Sequence, residues 1–253
     1  MTNSNTDMKT ILLILLTMGM VQTGFAQLKD IDYSDGEQKL KGLLSGGDQK
    51  NKPGVLILPA WMGIDEEAKT AAENLAKAGY TAFIADIYGQ GNIPKTSAEA
   101  GKIAGQFKSD YALYQRRIKA ALDELVKQGA DPQRIAVIGY CFGGTGALEA
   151  ARAQLPVKAV VSIHGGLGKG ERANGPVRTK VLVLHGASDA SVPASDIVAL
   201  QKELDDAAAD WQMIYYAASK HTFTNPKSQD YNPLAAKRSW QHLMMFLEEV
   251  LEK

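Results

Sequence analysis

RIAVIGYCFGGTGALEAARA, residues 134–153, is the stretch that decides the fold. Its opening run, Arg134–Tyr140, is β-branched and apolar, the kind of segment that forms a strand buried on both faces. From Gly143 to Ala153 the residues are small and compatible with a helix. The turn between them, Gly139-Tyr140-Cys141-Phe142-Gly143, holds the one cysteine of the chain and is followed by Gly144. A sharp strand-to-helix turn forces its apex residue into strained φ/ψ. Side chains two positions either side would collide, which calls for glycine there. The apex side chain then stands at a helix N-terminus, where unpaired N–H groups and the dipole favour a thiolate. The pattern is a G-x-C-x-G version of the G-x-S-x-G nucleophile elbow. Two plainer readings compete with it. A lone cysteine is most often a buried small hydrophobe. A strand, a Gly-rich turn and a helix can also hold a dinucleotide, but glycines at 139, 143, 144 and 146 do not spell G-x-G-x-x-G.

Working outward, 253 residues with 45% hydrophobic content are enough for one large α/β domain. Lys+Arg and Asp+Glu both number 28, a formal charge of zero that argues against a nucleic-acid or anionic-membrane partner. Before the domain, Met8–Val21 holds an apolar core of about a dozen residues behind Lys9, short for a comfortable membrane span, with an uncleaved anchor as the alternative to a cleaved signal. Gly24-Phe25-Ala26 then offers small residues where signal peptidase cuts. The expectation is a cleavable signal over residues 1–26 and a single domain over 27–253, periplasmic or secreted, with no stable membrane association after cleavage. A chain exported with one cysteine cannot form an internal disulfide, and a lone thiol in an oxidising compartment is exposed to oxidation. Its presence is easiest to understand if it works.

Taken in order, Asp30–Leu44 reads as a hairpin turning at Asp35-Gly36, and Ser45–Pro53 as a loop. Buried strands are expected at Gly54–Pro59, Tyr80–Asp86, Arg134–Tyr140, Val157–His164, Lys180–His185 and Trp211–Ala217. Helices are expected at Asp65–Ala78, Ser97–Phe107, Ser109–Gln128, Gly143–Ala153, Pro193–Ala208 and Tyr231–Glu252. Glu66 and Glu67 open the first helix and read as complements to its dipole. Short apolar strands alternating with helices give an α/β fold with a mostly parallel sheet covered on both faces, whose ligands bind at the strands' carboxyl ends.

A nucleophilic cysteine needs a base, and the base an orienting acid. Of the four histidines, His221 lies in a loop between the last strand and the last helix, where a general base belongs. His185 ends a strand and reads as structural, the better acid being Asp189 in the loop beyond. His164 ends another strand, where it reads as a satisfied core histidine or a wall of the pocket. His242 carries no motif. Cys141, Asp189 and His221 therefore follow in the order nucleophile, acid, histidine. No G-x-x-x-x-G-K-[ST] loop, H-E-x-x-H or Cys/His cluster occurs, which argues against a nucleotide, a flavin or zinc, and no cofactor is expected.

From about Asp30 to its end the chain resembles the dienelactone hydrolase family of the α/β-hydrolase superfamily. The likeness rests on GYCFGG at the elbow, HGASDASVP around Asp189, KHTFTNP around His221 and ADIYG after the second buried strand. It implies an α/β-hydrolase fold and cofactor-free hydrolysis of esters or lactones by a Cys–His–Asp triad, here Cys141, His221 and Asp189. Backbone N–H groups of Trp61 and Phe142 would form the oxyanion hole, with Tyr88, His164 and Phe223 lining the pocket. The founding enzymes carry a glutamate where this chain has Ala60, and carboxylate-gripping arginines where it has Gln90 and Asn225. The departures favour a neutral small ester over an anionic lactone, and an exported binding protein without activity is the reading outside enzymology. The expected assembly is a monomer or a small homo-oligomer.

Overall fold

The computed structural model describes residues 28–47 and 50–252, so the expected signal segment lies outside the described residues. The chain begins with a hairpin, β1 (Lys29–Asp35) and β2 (Gln38–Ser45), turning at Gly36. There follow β3 (Lys52–Leu58), α1 (Glu66–Lys77), β4 (Thr81–Ile84), α2 (Ser97–Ser109) and α3 (Tyr111–Lys127). The second half runs β5 (Ala130–Tyr140), α4 (Phe142–Arg152), β6 (Ala159–Ile163), β7 (Lys180–Gly186), α5 (Ala194–Asp206), β8 (Trp211–Tyr216) and α6 (Pro233–Leu251).

All eight strands form one sheet in the order β1-β2-β4-β3-β5-β6-β7-β8. The hairpin is antiparallel to the rest, β2 pairing with β4, and every other pair is parallel. Alternation explains why the inner strands read as unbroken apolar runs. In β3, Val55 and Ile57 join the core under α1 and α6, whereas Leu56 and Leu58 join the core under α3, α4 and α5. All four are fully buried, because crossover helices cover both faces.

The strand after the loop at residue 46 begins at Lys52, and β5 begins at Ala130, four residues before its apolar run. Lys52 pairs with Ala130 across a register irregularity that precedes the regular ladder at Gly54. Polar residues join the sheet there through backbone hydrogen bonds, which hydrophobic patterning does not register. β3 lies between β4 and β5, so the chain leaves it to one side and returns on the other. That reversal opens a crevice at the carboxyl ends of the strands, above which both the elbow and the loop after β3 sit.

Candidate active site

Cys141 ends β5 and caps α4 with φ 52° and ψ −111°, a conformation that costs a non-glycine residue on the order of 1–3 kcal/mol. Close packing holds it there. A Cβ on Gly139 would lie 2.0 Å from the Gly143 carbonyl oxygen, and one on Gly143 would lie 2.0 Å from that of Leu58. The helix thus starts directly against β3, at Phe142, one residue earlier than its small residues suggest. The Phe142 ring is buried and stacks on Tyr114 at 4.6 Å, and the Tyr114 hydroxyl donates to the Phe142 carbonyl at 2.9 Å. As the first residue of α4, Phe142 has an N–H with no carbonyl to meet inside the helix, and it lies beside the thiol.

The loops after β7 and β8 bring Asp189 and His221 to the thiol. His221 Nε2 is 3.1 Å from Cys141 Sγ, and its Nδ1 is 2.8 Å from Asp189 Oδ2. Ser191 joins them, with its hydroxyl 2.5 Å from Asp189 Oδ1 and 2.9 Å from His221 Nδ1, and its N–H donating to the same Oδ1 at 2.9 Å. Burial alone would push the Asp189 carboxyl up, but hydrogen bonds from His221 and Ser191 outweigh it and hold the group at about 2. Burial would likewise push His221 down. Its hydrogen bonds to Asp189 and Cys141 win, and lift it to about 10. A carboxylate, an imidazole and a thiol so arranged can move a proton between sulfur and ring while the acid fixes the ring's tautomer.

The other residues singled out from the sequence fall in different places. Trp61, in the loop after β3, is 38% exposed at the rim of the cleft. Tyr88 is buried, packed on Phe107 and Phe142, its hydroxyl donates to the Trp61 carbonyl at 2.8 Å, and it lines a small cavity with Pro59, Ala60 and Phe142. His164 and Phe223 lie in the core instead, His164 as the satisfied core histidine that the sequence suggested. Phe223 has no exposed surface and sits in the core between His164 and Tyr216. His164 is buried beneath the elbow, where its Nδ1 accepts from the Cys141 N–H. Both follow from the α6 face of the sheet closing over them. His185 is buried edge-on to Tyr215, and His242 meets the Tyr216 hydroxyl at 2.8 Å.

Of the two acids opening α1, Glu66 is exposed and pairs with Lys69, as a dipole complement would. Glu67 instead turns inward to accept from the Thr224 hydroxyl, and burial pushes its carboxyl up to about 7. Sequence reasoning missed Ser191, Glu67 and Thr224. Only for Ser191 was there a signal, the Asp-x-Ser spacing that lets a hydroxyl fold back on its own loop's carboxylate. Among the described residues no three His, Cys, Asp or Glu side chains cluster to hold a metal, and no helix is long and apolar enough to cross a membrane.

The family model described as the dienelactone hydrolase family matches residues 40–251. The chain belongs to that family. The sheet and helices of this dienelactone hydrolase family member are those of the α/β-hydrolase fold. It superposes on a dienelactone hydrolase-like promiscuous phosphotriesterase from metagenomic libraries with a TM-score of 0.83 and 33% identity, covering 88% of this chain and 98% of that one. A Bradyrhizobium protein named as a 2-oxo-3-(5-oxofuran-2-ylidene)propanoate lactonase is 28% identical over 226 residues, 85% of this chain and 90% of its own. A Yersinia pestis protein named as a carboxymethylenebutenolidase is 26% identical over 206 residues, 76% of each chain. The dienelactone hydrolase family member described here is accordingly a hydrolase of that type.

Proposed function

We propose that the protein hydrolyses small neutral carboxylic esters or lactones, with Cys141 as nucleophile, His221 as base and Asp189 as orienting acid. The observation that carries this reading is the unbroken contact from Sγ to Nε2 at 3.1 Å and from Nδ1 to the Asp189 carboxylate at 2.8 Å. His221 holds the proton that the thiol gives up, and sulfur attacks the carbonyl carbon while the carbonyl oxygen becomes an oxyanion. The Phe142 and Trp61 N–H groups receive that oxyanion, and the Tyr88 hydroxyl holds the loop through the carbonyl on the other side of Trp61. The tetrahedral species collapses to a thioester, and His221 returns its proton to the departing alkoxide. Water, deprotonated by His221, then attacks the thioester and releases the acid and the thiol. With Ala60 in place of a glutamate, that position offers no carboxylate to compete with His221 for the resting thiol.

Charge supports a neutral substrate. Gln90 is turned away, its amide donating to Asp32 at 2.9 Å and to the Leu40 carbonyl at 3.1 Å. The Asn225 side-chain oxygen accepts from the Lys227 N–H. Lys220, beside the base, is paired with Asp230 at 3.4 Å. A substrate carboxylate entering the cleft would lose water without gaining a bidentate cation. Two relatives are named for lactones, which places lactones beside esters in this reading. We further place the working enzyme outside the cytoplasm, on the strength of its N-terminal apolar core and Gly24-Phe25-Ala26. Steady-state kinetics on a matched pair of aryl esters, one neutral and one carrying a distal carboxylate, tests the substrate class. We expect kcat/KM at least about tenfold higher for the neutral ester, the factor corresponding to about 1.4 kcal/mol. Equal or faster turnover of the anionic ester contradicts it and favours an anionic lactone, and turnover of neither favours a binding protein.

A further inference from the structure

Behind the cleft, four segments meet in a chain of hydrogen bonds that the proposed chemistry does not use. The Cys141 N–H is shared between the Ile163 carbonyl at 3.0 Å and His164 Nδ1 at 3.1 Å. His164 Nε2 is 2.7 Å from Thr224 Oγ1, and Thr224 Oγ1 is 2.5 Å from Glu67 Oε1. The direction of every proton follows from the two ends. A backbone N–H only donates, so Nδ1 is the bare nitrogen of the His164 ring. The ring is buried, and burial together with the neighbouring His221 holds its value down at about 3, so it is neutral. Its one proton therefore sits on Nε2 and is donated to Thr224. The Thr224 hydroxyl then has one hydrogen left, and Glu67 accepts it.

We propose that His164, Thr224 and Glu67 are positioning residues, a relay that fixes the nucleophile's backbone and the base's loop relative to each other. This rests on the assignment of Cys141 and His221 made above. Three observations support it beyond the bonds themselves. Thr224 lies three residues after His221, so anchoring it anchors the loop that carries the base. His164 is held at φ 39°, strained for a residue with a side chain, and the relay supplies compensation. The His164 ring also stands edge-on to His221 at 5.5 Å, where a second cation would oppose the imidazolium, and the fixed neutral tautomer prevents that. Glu67 ends the chain at the wall of a cavity of about 440 Å³ between α1 and α6, away from the thiol.

Because Cys141 is the one cysteine in the chain, its alkylation by iodoacetamide reads the thiol–histidine pair without any ester. Thr224→Val removes the hydroxyl at nearly constant volume and Thr224→Ser keeps it. We expect Thr224→Val to slow alkylation at pH 7 and to lower kcat on a neutral ester, each about tenfold, with KM changed less than about twofold. Thr224→Ser should restore both. A folded Thr224→Val with wild-type alkylation overturns the relay, and so does a Thr224→Ser as slow as Thr224→Val, since the methyl group would then be what matters. Should Thr224→Val not fold, Glu67→Ala removes the last acceptor and is read the same way, unchanged alkylation again overturning the relay. A wild type that is alkylated rapidly but hydrolyses no ester would refute the activity, while the variants' alkylation rates still decide the relay.

Discussion

At the scale of single residues, His221 keeps its proton because the Asp189 carboxylate meets Nδ1 and sulfur faces Nε2. Its folded value, about 10, lies above the unfolded value of about 6.5. The stabilisation from the protonated ring is therefore complete below about pH 6.5 and is lost as pH rises through about 10. In the proposed mechanism the same proton protonates the leaving alkoxide, so kcat/KM on a neutral ester should hold to about pH 10 and then fall. Ser191→Ala removes one partner of each group and should lower kcat/KM about fivefold while moving that limb to lower pH. A pH–rate profile of both proteins checks this, and a serine-to-alanine variant with an unmoved limb would mean Asp189 holds the ring alone. The three residues of the proposed triad were picked out by type and chain order, and the structure brings their side chains into contact. Ser191 and Thr224 were not, because a hydroxyl's role depends on what the loops bring beside it.

At the scale of elements, the elbow works because α4 starts in contact with β3. Adding a methyl group at Gly143 would press it against the Leu58 carbonyl, a backbone atom that cannot swing away. Gly143→Ala should cost about 3 kcal/mol in urea denaturation. Gly105→Ala is the control, in α2 with nothing within 4 Å of the added carbon, and should stabilise by up to about 1 kcal/mol. Equal effects at the two sites would show that the elbow tolerates a side chain. Most elements were readable from the sequence, since β3 and β5 to β7 are buried on both faces and α1, α3 and α6 carry an apolar stripe. Phe223 was misplaced as a pocket wall for a related reason, whereas the reading of His164 as a satisfied core histidine holds. Residues just past a strand's carboxyl end can turn up into the cleft or down under a helix, and α6 decides it by covering that face.

At the scale of the whole molecule, a parallel sheet with helices on both faces was legible, whereas the strand order was not. Nothing local in β4 tells it to pair with the hairpin on one side and with β3 on the other; the contacts are non-local. The buried ion cluster is also a property of the assembled chain. Glu149 has no exposed surface and is met by Arg152 from its own helix and by Arg172 from the loop after β6, at 3.0 and 2.6 Å. Intact mass of protein recovered from the exported fraction should correspond to a chain beginning at Gln27, and a retained N-terminus contradicts the signal-peptide reading. Covalent catalysis by Cys141 is checked most directly by acid-quenching the enzyme during turnover of p-nitrophenyl acetate and measuring its mass. One added acetyl group is expected, on the peptide containing Cys141 and released by hydroxylamine. Undiminished turnover with no acetyl on Cys141, or with that thiol already capped by iodoacetamide, would contradict it.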